Sequence, residues 1–345
     1  MKVSWKLYDL KLDGKFTIAK GSFSSRRAMI IKLECEGLWG LGEITEISYY
    51  GIRLEAIVAL LRKHQDRLSK FNLDTPQSFF QQISTLFPSQ PFLCSALDCA
   101  AYDLYGKLNA QKTREYLELP TNVDLPDTSF TIGLDDPKSM QQKVLNRPWP
   151  IYKIKLGTPH DQAILTAISG VTSSTLRIDA NEGWDESQAS SMVSMMSSMN
   201  VDLIEQPLAG SNHEGMNRLR SKSSIPLIAD ESCQKVEDVA RCHTHFDGIN
   251  IKLMKCGGIT PAIEMIHEAR SRGMYVMIGC MTESSIGISA AAQLIPLVDF
   301  VDLDGSMLIK EDIAKGVSFK EGKPFYPNQY GLGCTLIQDD IVWAN

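Results

Sequence analysis

Short apolar runs recur along most of the chain at nearly constant intervals, and most of them end in a charged residue. Eight such runs lie between residues 129 and 305: SFTIGL, YKIKLG, TLRIDAN, VDLIEQP, PLIADES, GINIKL, YVMIGC and FVDLDG. Landmark residues at the ends of the last seven are separated by 24, 26, 25, 22, 27 and 25 residues: Lys155, Asp179, Glu205, Asp230, Lys252, Gly279 and Asp304. A strand, a helix and two short loops need about this length, so the pattern predicts repeated β/α units and a parallel sheet.

Eight strands of this kind predict an α/β fold, a (β/α)7β TIM-like barrel in which no full helix follows the last strand. The segment is short for such a barrel, roughly 180 residues where ~250 are usual, so its loops must be tight. An open doubly wound sheet is the alternative architecture. It is disfavoured because no glycine-rich nucleotide-binding motif follows a predicted strand.

The first third of the chain has a different texture. Alternating residues predict strands at 1–13 and 29–34, a turn-rich stretch at 38–42 and then another short strand. Helical spacing predicts helices at about 53–70, 75–87 and 92–117. We expect an α+β capping domain at residues 1–120, the barrel at 121–310, and a C-terminal segment at 311–345 that returns to the capping domain.

Composition excludes several classes of function. The formal net charge of the 345 residues is −6, which argues against a nucleic-acid surface. No apolar stretch is long enough for a membrane span, and the first residues lack the apolar segment of a signal peptide. The eight cysteines form no pair with metal-site spacing, so we expect reduced thiols and a cytoplasmic location.

Charged residues stand where the predicted strands end, although strands of a parallel sheet are buried on both faces. The carboxyl ends of barrel strands form the active-site face, so these side chains should meet at one mouth. Three acids on consecutive strands would repel one another without a cation, and carboxylates suit Mg²⁺ or Mn²⁺. Helix capping or pairing with lysines is the alternative for each acid. These acids are Asp179, Glu205 and Asp230.

The lysines of the same mouth predict acid–base chemistry. Lys153 and Lys155 are two residues apart on one strand and therefore point to the same side, whereas Lys252 lies four strands further on, across the barrel. A nearby divalent cation and partial desolvation should lower the pKa of such a lysine towards that of a general base. Two lysines on opposite sides can remove a proton from one face of a carbon and return it to the other. Structural ion pairs with the acids are the alternative.

The ordered motifs KIKLG, RIDANEGW, LIEQP, IADES and NIKLMKCGG resemble the enolase superfamily, in particular its muconate-lactonizing subgroup. The resemblance also includes ALDCAAYDLYGK and YGLGC, and thus covers nearly the whole chain. It implies one Mg²⁺ per active site, with Mn²⁺ as an alternative, held by Asp179, Glu205 and Asp230. It implies Lys155 and Lys252 as the acid–base pair, which act through an enediolate, and Lys153 against the substrate carboxylate.

The resemblance implies further assignments that are less specific. Asn181 and Glu231 would lie behind the metal ligands, although a helix N-cap explains Asn181 as well. The superfamily's relatives are often dimers or octamers, so we expect a homo-oligomer. Within the subgroup, muconate cycloisomerisation, o-succinylbenzoate synthesis, N-acylamino acid racemisation and dipeptide epimerisation all stay open at this point.

The eighth run, FVDLDG, narrows these reactions. Asp302 and Asp304 lie two residues apart and resemble the DxD motif of dipeptide epimerases, where the acids bind the free ammonium of the substrate. An ammonium in a desolvated cavity needs carboxylate partners. The alternative is that one aspartate turns the chain after the strand while the other pairs with a lysine. The motif favours a dipeptide substrate of the L-Ala-D/L-Glu type, which is linked to cell-wall peptide recycling.

The sequence specifies the side chains of the dipeptide less clearly. L-Ala-D/L-Glu epimerases resemble one another in an arginine after the first strand, and GSFSSRRAM offers Arg26 or Arg27, with Lys20 nearby. Tyr49 and Tyr50 are expected to close the other side of the pocket and would equally suit an apolar dipeptide. The predicted substrate-binding set is Lys153, Asp302, Asp304, Arg26, Tyr50 and Glu283.

Three hypotheses follow from the sequence. The first is a dipeptide epimerase, and the second is an o-succinylbenzoate synthase or N-acylamino acid racemase of the same subgroup. The third is a non-catalytic binding protein on the same fold, which is disfavoured because all the predicted acids and lysines are present.

Overall fold

The computed structural model describes residues 1–121, 123–337 and 341–345. The chain begins with a three-stranded antiparallel sheet formed by β1 (Lys2–Ile18), β2 (Gly21–Cys35) and β3 (Leu38–Thr45). The strands β1 and β2 form a long hairpin, in which Phe16 pairs with Phe23 near the tip. The predicted turn at 38–42 is wrong, because the chain turns at Glu36 and Gly37, which both have positive φ, and β3 follows directly.

Helices pack on this sheet. They are a 3₁₀ turn (Ser48–Tyr50), α1 (Leu54–Leu68), α2 (Pro76–Leu86), α3 (Pro91–Leu108) and the short α4 (Thr113–Tyr116). The predicted single helix at 92–117 is therefore two helices, interrupted where Ala110 takes a left-handed backbone with φ of 50°. The helix α3 lies so close to β3 that a Cβ at Gly42 would collide with the Ala96 carbonyl. Glycine at this position allows the close packing.

The barrel follows as eight parallel strands with helices between them. The strands are β4 (Phe130–Ile132), β5 (Ile151–Lys155), β6 (Thr175–Asp179), β7 (Val201–Glu205), β8 (Leu227–Ala229), β9 (Gly248–Lys252), β10 (Tyr275–Gly279) and β11 (Phe300–Asp302). The helices are α5 (Pro137–Asn146), α6 (Asp161–Ser169), α7 (Glu186–Met196), α8 (His213–Arg220), α9 (Val236–Cys242), α10 (Leu253–Cys256), α11 (Ile259–Ser271) and α12 (Ser285–Ala292). All eight predicted strands are confirmed.

The barrel closes between its first and last strands. A parallel bridge joins Thr128 to Val301, and the Ser129 amide donates to the Val301 carbonyl at 3.1 Å. A 3₁₀ turn (Gly305–Met307) follows β11 directly, whereas each of the other seven barrel strands is followed by an α-helix. The predicted (β/α)7β architecture is confirmed. None of the helices in the described residues is long and apolar enough to cross a membrane.

The C-terminal residues divide between the two parts of the molecule. They form four short strands: β12 (Ala314–Lys315), β13 (Ser318–Lys320), β14 (Lys323–Phe325) and β15 (Thr335–Leu336). The β13–β14 turn stays with the barrel, where the Thr128 amide donates to the Gly322 carbonyl at 2.9 Å. Further on, the Leu332 amide donates to Asp103 of α3 at 2.9 Å, and Trp5 of β1 bridges to Ala344. The earlier part also contacts the N-terminal sheet, because Ile313 packs against Leu10 and Leu12 of β1.

Candidate active site

One cavity lies at the carboxyl ends of the barrel strands, covered by the β1–β2 hairpin. Its barrel wall carries Lys153, Lys155, Asn181, Lys252, Asp302 and Asp304. The covering wall includes Phe16, Ile18, Phe23 and Arg26 from the hairpin, together with Tyr49. The charged side of this cavity is the barrel side, as the sequence predicts.

The residues of the barrel wall are aligned by strand register. Lys155 pairs with Asp179 across β5 and β6, and Asp179 pairs with Glu205 across β6 and β7. Asp230 follows β8, the next strand. Each of the three acids is at most 1% exposed. The fold thus brings the predicted acids into one row at the barrel mouth.

Lys153 is the centre of the buried ion-pair network. Its Nζ lies 2.7 Å from Glu205 Oε2, 3.0 Å from Asp179 Oδ2 and 2.7 Å from Asp302 Oδ2. Burial alone would lower the pKa of Lys153, but these carboxylates raise it well above the usual value. An ammonium held in this way is suited to pairing with negative charge rather than to taking up a proton.

The other two predicted lysines each hold one acid from the cavity side. Lys155 Nζ lies 2.6 Å from Asp179 Oδ2 and 3.3 Å from Asn181 Oδ1. Lys252 Nζ donates to Asp230 Oδ2 at 2.8 Å. The strands that carry them, β5 and β9, are four places apart among the eight strands of the barrel. Lys155 and Lys252 therefore face the cavity from opposite sides.

The acids fit a divalent cation by their chemistry. Among the described residues, no three carboxylate, imidazole or thiol groups converge as a ready metal shell, and lysines lie between the acids instead. The Glu205 carboxylate is oriented on both sides: the Asn250 amide donates to its Oε1 at 2.8 Å, and its Oε2 lies 2.7 Å from Lys153 Nζ. Three buried carboxylates on neighbouring strands are hard oxygen ligands of the kind that Mg²⁺ prefers.

The charges at the barrel mouth also favour a bound cation. Burial and the Asp179 charge raise the pKa of Glu205 to about 7. For Lys252, burial opposes the charge, but the carboxylates of Asp230 and Glu205 raise its pKa well above the usual value. The lowering expected of a lysine beside a divalent cation stays a prediction. Loss of a proton from Lys252 therefore requires another cation to balance these acids.

The backbone beside the acids is held in an uncommon conformation. Asn181, Glu182 and Gln206 have φ values of 45°, 65° and 37°, in the left-handed region that non-glycine residues seldom adopt. The Gln206 side chain accepts from the amides of Asp230 and Ser232 at 3.0 and 3.1 Å. Strain of this kind persists where the surroundings fix it, and it often marks functional sites.

Asp302 and Asp304 both line the cavity but have different partners. Asp302 is paired with Lys153 and accepts from the Ser129 hydroxyl at 2.7 Å, which matches part of the alternative drawn from the sequence. Asp304 accepts from the Thr131 amide at 2.6 Å and has no cationic group within 4.0 Å among the described residues. Burial and the Asp302 charge raise the pKa of Asp304 to about 6. Asp304 is therefore the carboxylate available to a ligand ammonium.

The β1–β2 hairpin determines which of its basic residues faces the cavity. Arg26 lines the cavity, stacks 3.7 Å above the Phe23 ring and has a buried Nε without a hydrogen-bond partner in the described chain. Arg27 instead pairs with Glu55 at 2.7 Å on the outer side. Lys20 lies at the hairpin turn and pairs with Glu182 and Glu231 at 2.8 and 3.0 Å.

Two residues of the predicted substrate-binding set lie outside the cavity lining. Tyr49 lines the cavity, whereas the Tyr50 ring packs against Phe92 with centroids 5.8 Å apart. The Glu283 carboxylate turns back to accept from the Met281 amide at 2.7 Å. The Tyr50 ring packs between Tyr49, with centroids 4.4 Å apart, and Phe92. The Ser284 and Gly287 amides at the start of α12 donate to Glu43, and Glu283 bonds to Met281 instead.

Known proteins resemble this chain in sequence and in fold. The family model described as Enolase C-terminal domain-like matches residues 137–340. The chain belongs to the enolase superfamily. An L-Ala-D/L-amino acid epimerase of Maribacter sp. (strain HTCC2170 / KCCM 42371) is 42% identical, over 98% of this chain and 100% of that protein. An L-Ala-D/L-Glu epimerase of Bacteroides thetaiotaomicron is 36% identical, over 98% of this chain and 88% of that protein.

A solved structure of a known protein shares the fold of this chain. The dipeptide epimerase from Enterococcus faecalis V583, complexed with Mg and the dipeptide L-Leu-L-Tyr, has a TM-score of 0.90 and 29% sequence identity. The similarity covers 97% of this chain and 99% of that chain. The capping sheet and the barrel are thus both parts of the shared structure.

Sequence reasoning missed several residues of this superfamily site. Asn250 orients Glu205, Gln206 orients Asp230, and Lys255 holds Asp230 from behind. Each of the three lies in one of the motifs that carry the resemblance to the superfamily. Asn250 lies two residues before Lys252 on β9, and strand alternation places both side chains on the same face. The strand spacing does not assign Lys255, because it lies beyond β9 in the one-turn helix α10.

Proposed function

We propose that this protein is a Mg²⁺-dependent dipeptide epimerase, an isomerase that inverts the α-carbon of the C-terminal residue of a dipeptide. The observation that carries the proposal is the pair of lysines on opposite walls of one cavity, with Asp304 free of basic partners at the same mouth. The relatives named above support it, since they act on or bind dipeptides.

The two lysines exchange one proton. The Nζ lone pair of one lysine takes the α-proton, and the electrons of the C–H bond move into the carboxylate to give an enediolate. The opposite lysine, which starts as an ammonium, donates its proton to the other face of the carbon. Lys155 and Lys252 perform these steps, and Lys153 supplies a permanent positive charge beside the carboxylate.

Asp179, Glu205 and Asp230 are the residues that would hold the metal. Mg²⁺ would bind the substrate carboxylate and offset the charge that collects there as the α-carbon loses its proton. Mn²⁺ takes the same oxygen ligands and is the alternative cation. The alignment of the three buried carboxylates on neighbouring strands supports this assignment.

The N-terminal end of the dipeptide is assigned to the last strand. Asp304 accepts the ammonium, and Asp302 supports it while it remains paired with Lys153. The side chain of the C-terminal residue then meets the hairpin, where Arg26 lies among Phe16, Phe23 and Ile18. This mixed wall suits a range of C-terminal side chains, with L-Ala-D/L-Glu among the candidates.

The setting of the enzyme follows from the same assignment. Residues 1–120 would act as the specificity cap, residues 121–310 as the catalytic barrel, and residues 311–345 as a C-terminal segment that returns to the cap. Because its substrate is a dipeptide, we propose a cytoplasmic role in cell-wall peptide recycling. A homo-oligomer is the proposed state, tested by light scattering of the purified protein.

A deuterium exchange experiment tests the function. The protein is incubated in D₂O with Mg²⁺ and a dipeptide panel, next to N-acyl amino acids that carry the same C-terminal residues. We expect deuterium and inversion only at the C-terminal residue of dipeptides, lost on chelation and restored by Mg²⁺. Turnover of N-acyl amino acids alone would replace the proposal with an N-acylamino acid racemase. Absence of exchange from every compound would favour a non-catalytic protein.

A further inference from the structure

We infer that Lys255 is a positioning residue, which fixes the Asp230 carboxylate so that one oxygen is held from behind while the other faces the cavity. The inference rests on the proposed function, because Asp230 is there a metal ligand and the partner of Lys252. Lys255 itself lies outside the cavity lining and belongs neither to the predicted acid–base pair nor to the metal ligands.

The contacts of Lys255 are unusually complete for a lysine. Its Nζ donates to the Asp230 carbonyl at 2.6 Å, to the Cys233 carbonyl at 3.1 Å and to the Asn250 carbonyl at 3.3 Å, and it also contacts Asp230 Oδ1. The residue is 3% exposed. A buried ammonium is tolerated only with such partners, so the cage fixes the position of Nζ.

The local chain geometry explains how two lysines reach one acid. Lys252 ends β9, and α10 begins at the next residue, so Lys255 follows within one helical turn. Gly257 then leaves the helix with φ of 109°. As a result, Lys252 approaches Asp230 Oδ2 from the cavity and Lys255 approaches Oδ1 from behind.

This division assigns separate tasks to the two lysines. Because Lys255 anchors Oδ1 and keeps a charge beside Asp230, the acid keeps its place when Lys252 turns to the substrate. Without that anchor, the Asp230 carboxylate can rotate, and Lys252 loses the partner that orients its Nζ. Misplacement of a reacting group by about 1 Å is enough to slow a step by about 100-fold.

The first test measures metal binding without turnover. Isothermal titration of the protein with Mg²⁺ compares wild type with Lys255→Met, with Lys138→Met as an exposed control. We expect affinity to fall by about 10- to 100-fold in Lys255→Met, the usual effect of losing a residue that holds a ligand, and to be unchanged in the control. Wild-type affinity in a folded Lys255→Met protein would overturn the inference.

The second test separates positioning from a general structural role. Loss of α-hydrogen in D₂O is followed for each epimer of one dipeptide, and Lys155→Met and Lys252→Met identify which epimer each lysine deprotonates. We expect Lys255→Met to slow exchange of the Lys252 epimer about 10-fold more than that of the other. Equal slowing of both epimers contradicts a role exerted through Lys252.

Folding is controlled by a second variant. If Lys255→Met does not fold, Lys255→Arg keeps the charge but cannot reproduce the ammonium geometry, and the same asymmetry between epimers is expected. Failure of the proposed function is distinguishable, since wild type would then exchange no dipeptide. The Mg²⁺ titration would still decide whether Lys255 supports the acid row.

Discussion

The two walls of the cavity differ in how their side chains are held. On the barrel wall, Lys153 and its acids are buried and joined by contacts of 3.0 Å or less, and each comes from or directly follows a strand. On the hairpin wall, Phe16, Phe23 and Arg26 stack on one another near the tip of two long strands. Rigid strands suit chemistry that needs fixed positions, whereas a hairpin can vary its side chains without disturbing them.

The hairpin is bonded along its β1 strand to the residues that follow β11, where the Lys310 amide donates to the Lys11 carbonyl at 2.7 Å, and near its tip to the barrel loops. The Leu134 amide donates to the Thr17 carbonyl at 2.8 Å, and Lys20 reaches Glu182 and Glu231. We therefore expect substitutions on the barrel wall to change the rate of the chemical step, and substitutions on the hairpin wall to change which dipeptide binds.

The largest effect should come from a catalytic lysine. Lys155→Met removes one of two proton-transfer groups, so kcat for epimerisation should fall by about 100- to 10,000-fold, while exchange of one epimer continues. Lys20→Met, on the hairpin, should change kcat only a few-fold. Chiral analysis of the products at saturating dipeptide measures both variants. A similar fall in kcat for the two variants would erase the distinction between the walls.

Asp304 gives the next effect, on binding of the substrate ammonium. Asp304→Asn should raise KM for dipeptides about 10- to 100-fold, since a hydrogen bond to a charged group contributes about 1.5–3 kcal/mol. The matched control is the wild-type enzyme with a dipeptide analogue that lacks the amino group, which should lose the same factor. If Asp304→Asn changes KM for the dipeptide and for this analogue by the same factor, Asp304 does not bind the ammonium.

The sequence predicted the barrel wall far better than the hairpin wall. Strand spacing located Lys155, Asp179 and Glu205 because a charge at the end of a buried strand has few alternatives. Turn geometry is less constrained by sequence. The sequence does not distinguish Tyr49 from Tyr50, and their rings lie 4.4 Å apart, yet Tyr49 lines the cavity while Tyr50 packs on Phe92.

Other misses have the same physical origin. Glu283 lies in the loop between β10 and α12, where its carboxylate turns back to the Met281 amide, and the amides at the start of α12 donate to Glu43 from the capping sheet. The register of Arg26 and Arg27 depended on where the long β1–β2 hairpin turns, which alternation of apolar residues did not reveal. Contacts between distant segments, rather than local pattern, decide these positions.

On the hairpin wall, Arg26 should affect which dipeptide the enzyme prefers. Arg26→Met keeps the apolar stacking on Phe23 but removes the guanidinium, so kcat/KM should fall about 10-fold for dipeptides ending in glutamate and change little for those ending in leucine. Arg27→Met is the matched control, because its side chain lies outside the cavity. Competition between the two dipeptides in one reaction measures the ratio directly. An unchanged ratio would remove Arg26 from the specificity residues.

A pair of acids lies where the capping sheet meets the barrel. Glu43 of β3 accepts from the Ser284 amide and hydroxyl and from the Gly287 amide, and Glu283 lies beside it. Asp312 caps the same helix end through Ser285. Burial raises the pKa of Glu43 to about 7, and burial together with Glu43 raises the pKa of Glu283 to about 8.

The smallest expected effect is on stability at this junction. Both acids bind protons in the folded state at pH values where the unfolded chain, with a glutamate pKa near 4.5, does not. The free energy of unfolding should therefore fall as pH rises from about 4.5 to about 8. Glu283→Gln, which cannot ionise, should flatten this slope. Thermal unfolding across the window should show Tm falling less in the variant, at roughly 2 °C for each kcal/mol. Parallel pH profiles of Tm for the two proteins would mean that protonation of Glu283 does not stabilise the junction between the capping sheet and the barrel.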